Sequence, residues 1–406
     1  MISRVRFLLA LFATAQGTII MNDDYKWDDP MAQEHLFKWV KHPEGLQKWN
    51  HSARHARHVQ ITKRQTGHRS LYRSSIGELL WLNESRKGTI CQFSEAEQIV
   101  KESRLWLNYS TRAFNAAGKP PPVATAEERT ALSHFFHHDH GFSRSHPGIS
   151  EPIEPLHGVA RHPFARTGCE KSPSNPHSVS KHDITYLIFY NRCGLELPKP
   201  RTFLFDLGAS VGFQGVPGGL YTSAPTQASG KLCPSLPLFY KLYSDRCLEP
   251  DDIFAWEPQP KVSNREWFGE LPPAVKAKIR YYKDSVDEGT LRAAAAPPGE
   301  EDGIGAPQKH PAASFLAILE AAVKPEDFVV VKVDIDTPVA ELMIVEAIAE
   351  QPKIAVLIDE LFFEYHFWYD GLDFGWGTKK VQGDVDSALA LLRRLRELGI
   401  RAHFWI

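Results

Sequence analysis

Four acidic residues stand at or just past the ends of apolar runs, and the residues beside them decide what chemistry they can do. Asp206 follows Thr202-Phe203-Leu204-Phe205 and opens Asp206-Leu207-Gly208-Ala209-Ser210-Val211-Gly212, with Gly215 beyond. Glycines just past a parallel strand let the backbone turn tightly and approach a ligand at the sheet edge. The glycine spacing differs from the G-x-G-x-x-G of a dinucleotide site. Gly230-Lys231 is followed by Leu232 and lacks the upstream glycine of a phosphate-binding loop. Both differences argue against NAD, FAD and P-loop nucleotide chemistry. Ala255-Trp256-Glu257 puts a second carboxylate where α/β nucleotide folds bind ribose hydroxyls. Lys283-Asp284-Ser285 suits an adenine amino group, and Val331-Lys332-Val333-Asp334 brings a fourth acid to the end of a run.

A second group follows the apolar run 354–358, where Glu360, Glu364 and His366 would lie on the side from which an acceptor enters. From there His366 would remove a hydroxyl proton as general base. The loop 367–377 holds Trp368, Tyr369, Phe374 and Trp376, rings that stack on a sugar or pack against the rest of the chain. His134, His137, His138, Asp139 and His140 have metal-ligand types, but among 18 histidines an exposed turn ending at Gly141 is the simpler account, and no metal is expected. Arg54, Arg57, Lys63, Arg64 and Arg69 read as a solvated face. With Lys plus Arg at 47 against Asp plus Glu at 49, no global field exists to grip nucleic acid.

These residues need a scaffold. From residue 202 onward, strand-like runs at 202–205, 252–256, 279–283, 328–333, 354–358 and 402–406 alternate with helical patterns at 236–246, 313–323, 339–350 and 385–398. Such alternation predicts an α/β domain, a Rossmann-like, doubly wound, mostly parallel sheet over 182–406. The segment 293–311, which contains AAAAPPGEEDG, is too polar and Pro-rich to fold alone and reads as a disordered insertion. Residues 22–181 form an irregular, mainly helical N-terminal region of its own. The length, 406 residues, allows two or three domains.

Arg4 and Arg6 precede an apolar run and Ala13-Thr14-Ala15, so 1–21 reads as a signal peptide or short signal-anchor into the secretory pathway. Sequons at Asn50, Asn83 and Asn108 agree with a glycoprotein in that compartment. No run reaches the length of a bilayer span, which excludes polytopic membrane insertion. Five cysteines without a C-x-x-C pair allow two disulfides and one free thiol, with connectivity left open.

DLGASVG taken with VKVDID resembles the FkbM type of S-adenosylmethionine-dependent methyltransferases, over residues 200–406. The resemblance implies a class I methyltransferase fold, S-adenosyl-L-methionine as cofactor, and O-methylation of a hydroxyl on a glycan or small metabolite. It further implies that Asp206, Gly208, Ala209, Ser210 and Gly212 cradle the methionine part, Glu257 holds the ribose, and Asp284 with Ser285 meets the adenine. Asp334 would face the acceptor and the methyl group. The alternative is a catalytically inactive member of the fold serving as a binding module.

Overall fold

The computed structural model describes residues 72–84, 97–136, 150–157, 184–194, 199–214, 234–257, 263, 267–282, 315–368 and 383–405. All belong to a unit spanning Thr62–Ile406. The signal segment, the basic stretch 51–69, the insertion 293–311, Asp284 and Ser285 lie outside the described residues.

In chain order the elements are β1 (Tyr72–Arg73), α1 (Ile76–Glu84), α2 (Glu97–Phe114), α3 (Ala126–Ala131), β2 (Ser133–Phe136), β3 (Ser150–Ile153), β4 (Thr202–Leu207), α4 (Ser235–Ser244), β5 (Asp252–Trp256), α5 (Pro273–Lys276), β6 (Ile279–Tyr282), α6 (Phe315–Ala322), β7 (Phe328–Val333), α7 (Pro338–Glu350), α8 (Pro352–Ala355), β8 (Glu360–Phe363), β9 (Phe367–Trp368), β10 (Gly383–Asp384), α9 (Val385–Glu397) and β11 (Arg401–Phe404). Six strands form one sheet in the order β11-β8-β7-β4-β5-β6, and every neighbouring pair is parallel. Counted from β4 the order is 3-2-1-4-5-6, that of a doubly wound α/β fold, with its switch point between β4 and β7.

The central strands are continuous apolar runs because helices cover both faces. Phe203, Phe205 and Leu207 of β4 and Val329, Val331 and Val333 of β7 pack with α6, α7 and α9. Leu204 and Val330 point the other way and pack with α4 and α2. Asp206 and Lys332 fall on that second face by the alternation of side chains along a strand. They are opposite each other in register.

One expectation needs correction. The run 354–358 is not a strand: it forms α8 and the turn after it, with Ile354 N and Ala355 N both bonded to Gln351 O. Its Ile354, Ala355, Leu357 and Ile358 nonetheless enter the core. A short buried apolar run has no periodicity that separates helix from strand, and Pro352 starts a turn. The fifth strand is β8, entered through Asp359, whose N–H donates to Val329 O and whose Oδ2 accepts from Val329 N. The described part of 22–181 is helical over α1, α2 and α3. It also holds a three-stranded antiparallel sheet, β1-β2-β3, and shares the main core. Trp81 and Leu156 pack on one face of the large sheet, Trp106, Tyr109 and Leu132 on the other. Among the described residues no helix is long and apolar enough to cross a membrane.

Candidate functional site

The chain leaves β4 through Gly208, whose φ of 99° belongs to the left-handed side that glycine tolerates. A Cβ there would lie 1.6 Å from the Asp334 carbonyl oxygen, so only glycine lets this loop pass against the end of β7. Ser210 at φ 47° and Gly212 at φ 59° continue the turn. Gly208 N and Ala209 N both donate to Trp256 O, which carries the loop across the end of β5. Glu257, the next residue of that strand end, accepts from Ser210 N through Oε2 at 2.9 Å. Asp206, Gly208, Ala209, Ser210, Gly212 and Glu257 therefore do meet at one edge.

Below the loop lies a charge arrangement that motif reading did not reveal. Lys332 Nζ stands 3.3 Å from Asp206 Oδ1, 3.3 Å from Gly208 O and 2.8 Å from Asp334 Oδ2. Burial works against its charge, but Asp206 and Asp334 outweigh it and raise its pKa, so it stays an ammonium. Asp206 accepts from the Ser235 hydroxyl at 2.5 Å. Asp334 also accepts from Trp405 Nε1 at 3.1 Å. Burial would raise the pKa of Asp334, yet Lys332, Glu364 and Trp405 hold it below the usual carboxylate range.

Asp334 adjoins a second acidic group. Glu364 follows β8 and forms a side-chain hydrogen bond with Asp334; burial and the Asp334 charge push its pKa up to about 7. His366 Nε2 is 3.2 Å from Glu364 Oε2 and 3.6 Å from Glu341 Oε2. Glu341, in the first turns of α7, reaches back so that Oε1 accepts from Ile335 N at 2.6 Å. Burial first, and Glu364 next, raise its pKa to about 9. The turn it caps is strained, with Asp336 at φ 54°. At neutral pH the arrangement offers a fixed anion, Asp334, beside Glu364, which titrates near neutrality, and Glu341, which still holds its proton.

No family model matches the chain, and neither a curated protein nor a solved structure matches it.

Glu360 is not part of this edge. It begins β8, three residues upstream of the strand's end, level with Val330 and Arg401. Its Oε1 accepts from Tyr190 N at 2.8 Å and Arg401 Nε at 3.1 Å, its Oε2 from the Tyr243 hydroxyl. Although burial alone would raise its pKa, His403, Arg401 and Tyr243 lower it to about 2. The carboxylate is thus held by ion pairs inside the sheet, and Glu360 was expected at the acceptor side only because the fifth strand was placed at 354–358, six residues too early.

Of the other candidates, His134 is buried in β2 with Nε2 3.1 Å from Arg129 O, while His137, His138, Asp139 and His140 lie outside the described residues. Most of the aromatic loop, 369–382, lies outside them too. Residue types alone did not single out Lys332, Glu341 or Trp405. The sequence signal for Lys332 was a lysine inside a run of valines, where an unpaired charge is too costly to bury.

Proposed function

We propose that the protein is an S-adenosylmethionine-dependent O-methyltransferase of the class I type that acts on a hydroxyl of a glycan or small metabolite in the secretory pathway. The contact between Ser210 N and Glu257 Oε2 carries the reading. It ties the glycine turn after β4 to the acid after β5, at the carboxyl edge beside the switch point where doubly wound sheets place ligands. A half-exposed carboxylate suits a ribose diol, and the turn, with three residues at positive φ, lies at the sheet edge where the methionine part would come. In this reading Gly208, Ala209, Ser210 and Gly212 hold that part and Glu257 the ribose. The cofactor, when bound, supplies an electrophilic methyl group.

Asp334 then orients the acceptor hydroxyl, since Lys332 and Trp405 fix its carboxylate in place. The hydroxyl proton passes to the Asp334–Glu364 pair, of which Glu364 titrates near neutrality, where a general base is most effective. Among the described residues a disulfide, Cys193–Cys247, supports an oxidising compartment.

Titration calorimetry with S-adenosylmethionine and its demethylated product tests the reading. Glu257→Ala should weaken binding by about 10- to 100-fold, since a hydrogen bond to a charged group contributes roughly 1.5–3 kcal/mol. Unchanged binding by a folded Glu257→Ala protein removes the cofactor assignment.

A further inference from the structure

Glu341, Glu364 and His366 converge from α7 and from the segment just after β8, with exposures of 0%, 4% and 0%. One ligand atom from each lies within 4.8 Å of the others. Two ligands about 2.1 Å from a common ion stand about 3.0–3.4 Å apart. The 3.2 and 3.6 Å separations around His366 Nε2 therefore need only small side-chain shifts to admit one. A second observation is independent of proximity. Glu341 Oε2 is buried and makes no hydrogen bond, while Ile335 N holds the other oxygen at 2.6 Å and so fixes the direction of the carboxyl group. A buried carboxylate oxygen aimed at an imidazole is completed by a cation or by a proton.

We propose that Glu341, Glu364 and His366 bind a divalent first-row transition ion, with zinc as the type case. An imidazole nitrogen selects for this class over magnesium and calcium, which take oxygen ligands. The two carboxylates balance the charge of the ion. Asp334, bonded to Glu364, has its side chain 27% exposed. The proposal goes beyond methyl transfer: with the ion bound, Glu364 serves as its ligand and Asp334 alone takes the hydroxyl proton.

The full chain, stripped with a chelator, is dialysed against Zn²⁺ and separately Co²⁺, then assayed for bound metal, melting temperature and visible absorption. The expected result is about one ion per chain, a rise in Tm as binding to the native state requires, and cobalt d–d bands. Because losing even an outer-shell partner weakens metal sites by 10- to 100-fold, Glu341→Gln and His366→Gln should each lose at least about 100-fold in affinity. Wild-type protein that takes up no ion, with no Tm rise and no cobalt bands, overturns the proposal whether or not the variants fold. Uptake by folded variants equal to wild type overturns it too, as do intense cobalt–sulfur bands, which would place the ion on a cysteine.

Discussion

Lys332 and Asp206 form an ion pair across neighbouring parallel strands, Nζ to Oδ1 3.3 Å, with side chains 2% and 0% exposed. The same ammonium holds Asp334 at 2.8 Å and the Gly208 carbonyl at 3.3 Å. One cation thus fastens the glycine turn, the end of β4 and the acid after β7. The crevice edge depends on it.

Lys332→Met removes that cation and leaves two carboxylates to repel each other. Breaking a buried pair by one partner costs about 3–5 kcal/mol, so the urea midpoint should fall by that equivalent. Adding Asp206→Asn should recover part of the loss. A Lys332→Met protein as stable as wild type would show that the pair does not hold the edge.

Gly208→Ala and Gly118→Ala differ in a way that separates two causes. Both positions have positive φ, but nothing lies within 4 Å of a Cβ at Gly118, whereas Asp334 O would be 1.6 Å away at Gly208. The Gly118 variant should lose only the left-handed penalty, about 1–2 kcal/mol. The Gly208 variant must shift its loop, and should lose more stability together with S-adenosylmethionine binding. Equal losses would refute the close-approach argument.

Asp334→Asn keeps the shape of the site and removes the oriented anion. Cofactor affinity should stay near wild type while methyl transfer to the true acceptor falls by roughly 10²-fold or more, the scale for a positioned proton acceptor. A wild-type turnover rate would move the role to Glu364 or His366, which are the next substitutions to assay.

Stability should peak in a mildly acidic window set by the ions between β8 and β11. Glu360 has its pKa lowered to about 2, below its unfolded value of about 4.3. Its contribution is therefore present above about pH 4.3 and is lost as pH falls toward 2. Burial opposes a charge on His403, but Glu154 and Glu360 raise its pKa. Its contribution is present below the unfolded value of about 6.5 and is lost as pH rises through the folded one. Melting curves from pH 2 to 9 should show both limbs, and Glu360→Gln should be less stable at pH 5 with a flatter acid limb. An unchanged acid limb in that variant would contradict the assignment.

The Cys193–Cys247 disulfide closes a loop with a sequence separation of 54. Chain-entropy arguments give it about 4 kcal/mol. Cys247 has φ 62° and follows α4 at a position where glycine is usual, so it is the cross-link rather than backbone comfort that favours cysteine there. Reduction, or Cys193→Ala with Cys247→Ala, should lower the denaturation midpoint accordingly. Expression through a secretory host, with N-terminal sequencing and glycosidase treatment, checks the compartment; an intact Met1 on an unglycosylated product would argue against it.

The runs at 202–205, 252–256 and 328–333 were legible as buried parallel strands because unbroken apolar stretches of that length need cover on both faces. The turn at Gly208 was legible too, since a glycine past such a strand marks a close backbone approach. What local pattern could not decide was pairing. Lys332 finds Asp206 from 126 residues away, and it does so because the sheet order places β7 beside β4 in register, a property of the whole chain. The fifth strand went to Glu360–Phe363 instead of the more apolar 354–358 because Arg401, Tyr243, Tyr190 and His403 satisfy the buried Glu360, and none of them is a sequence neighbour. Glu341, Glu364 and His366 likewise become one cluster only when α7 folds back over the end of β8. Residue types and local periodicity determined the central strands and the turn; the place of the fifth strand and the long-range register, which sets where each buried charge finds its partner, were decided by the tertiary structure.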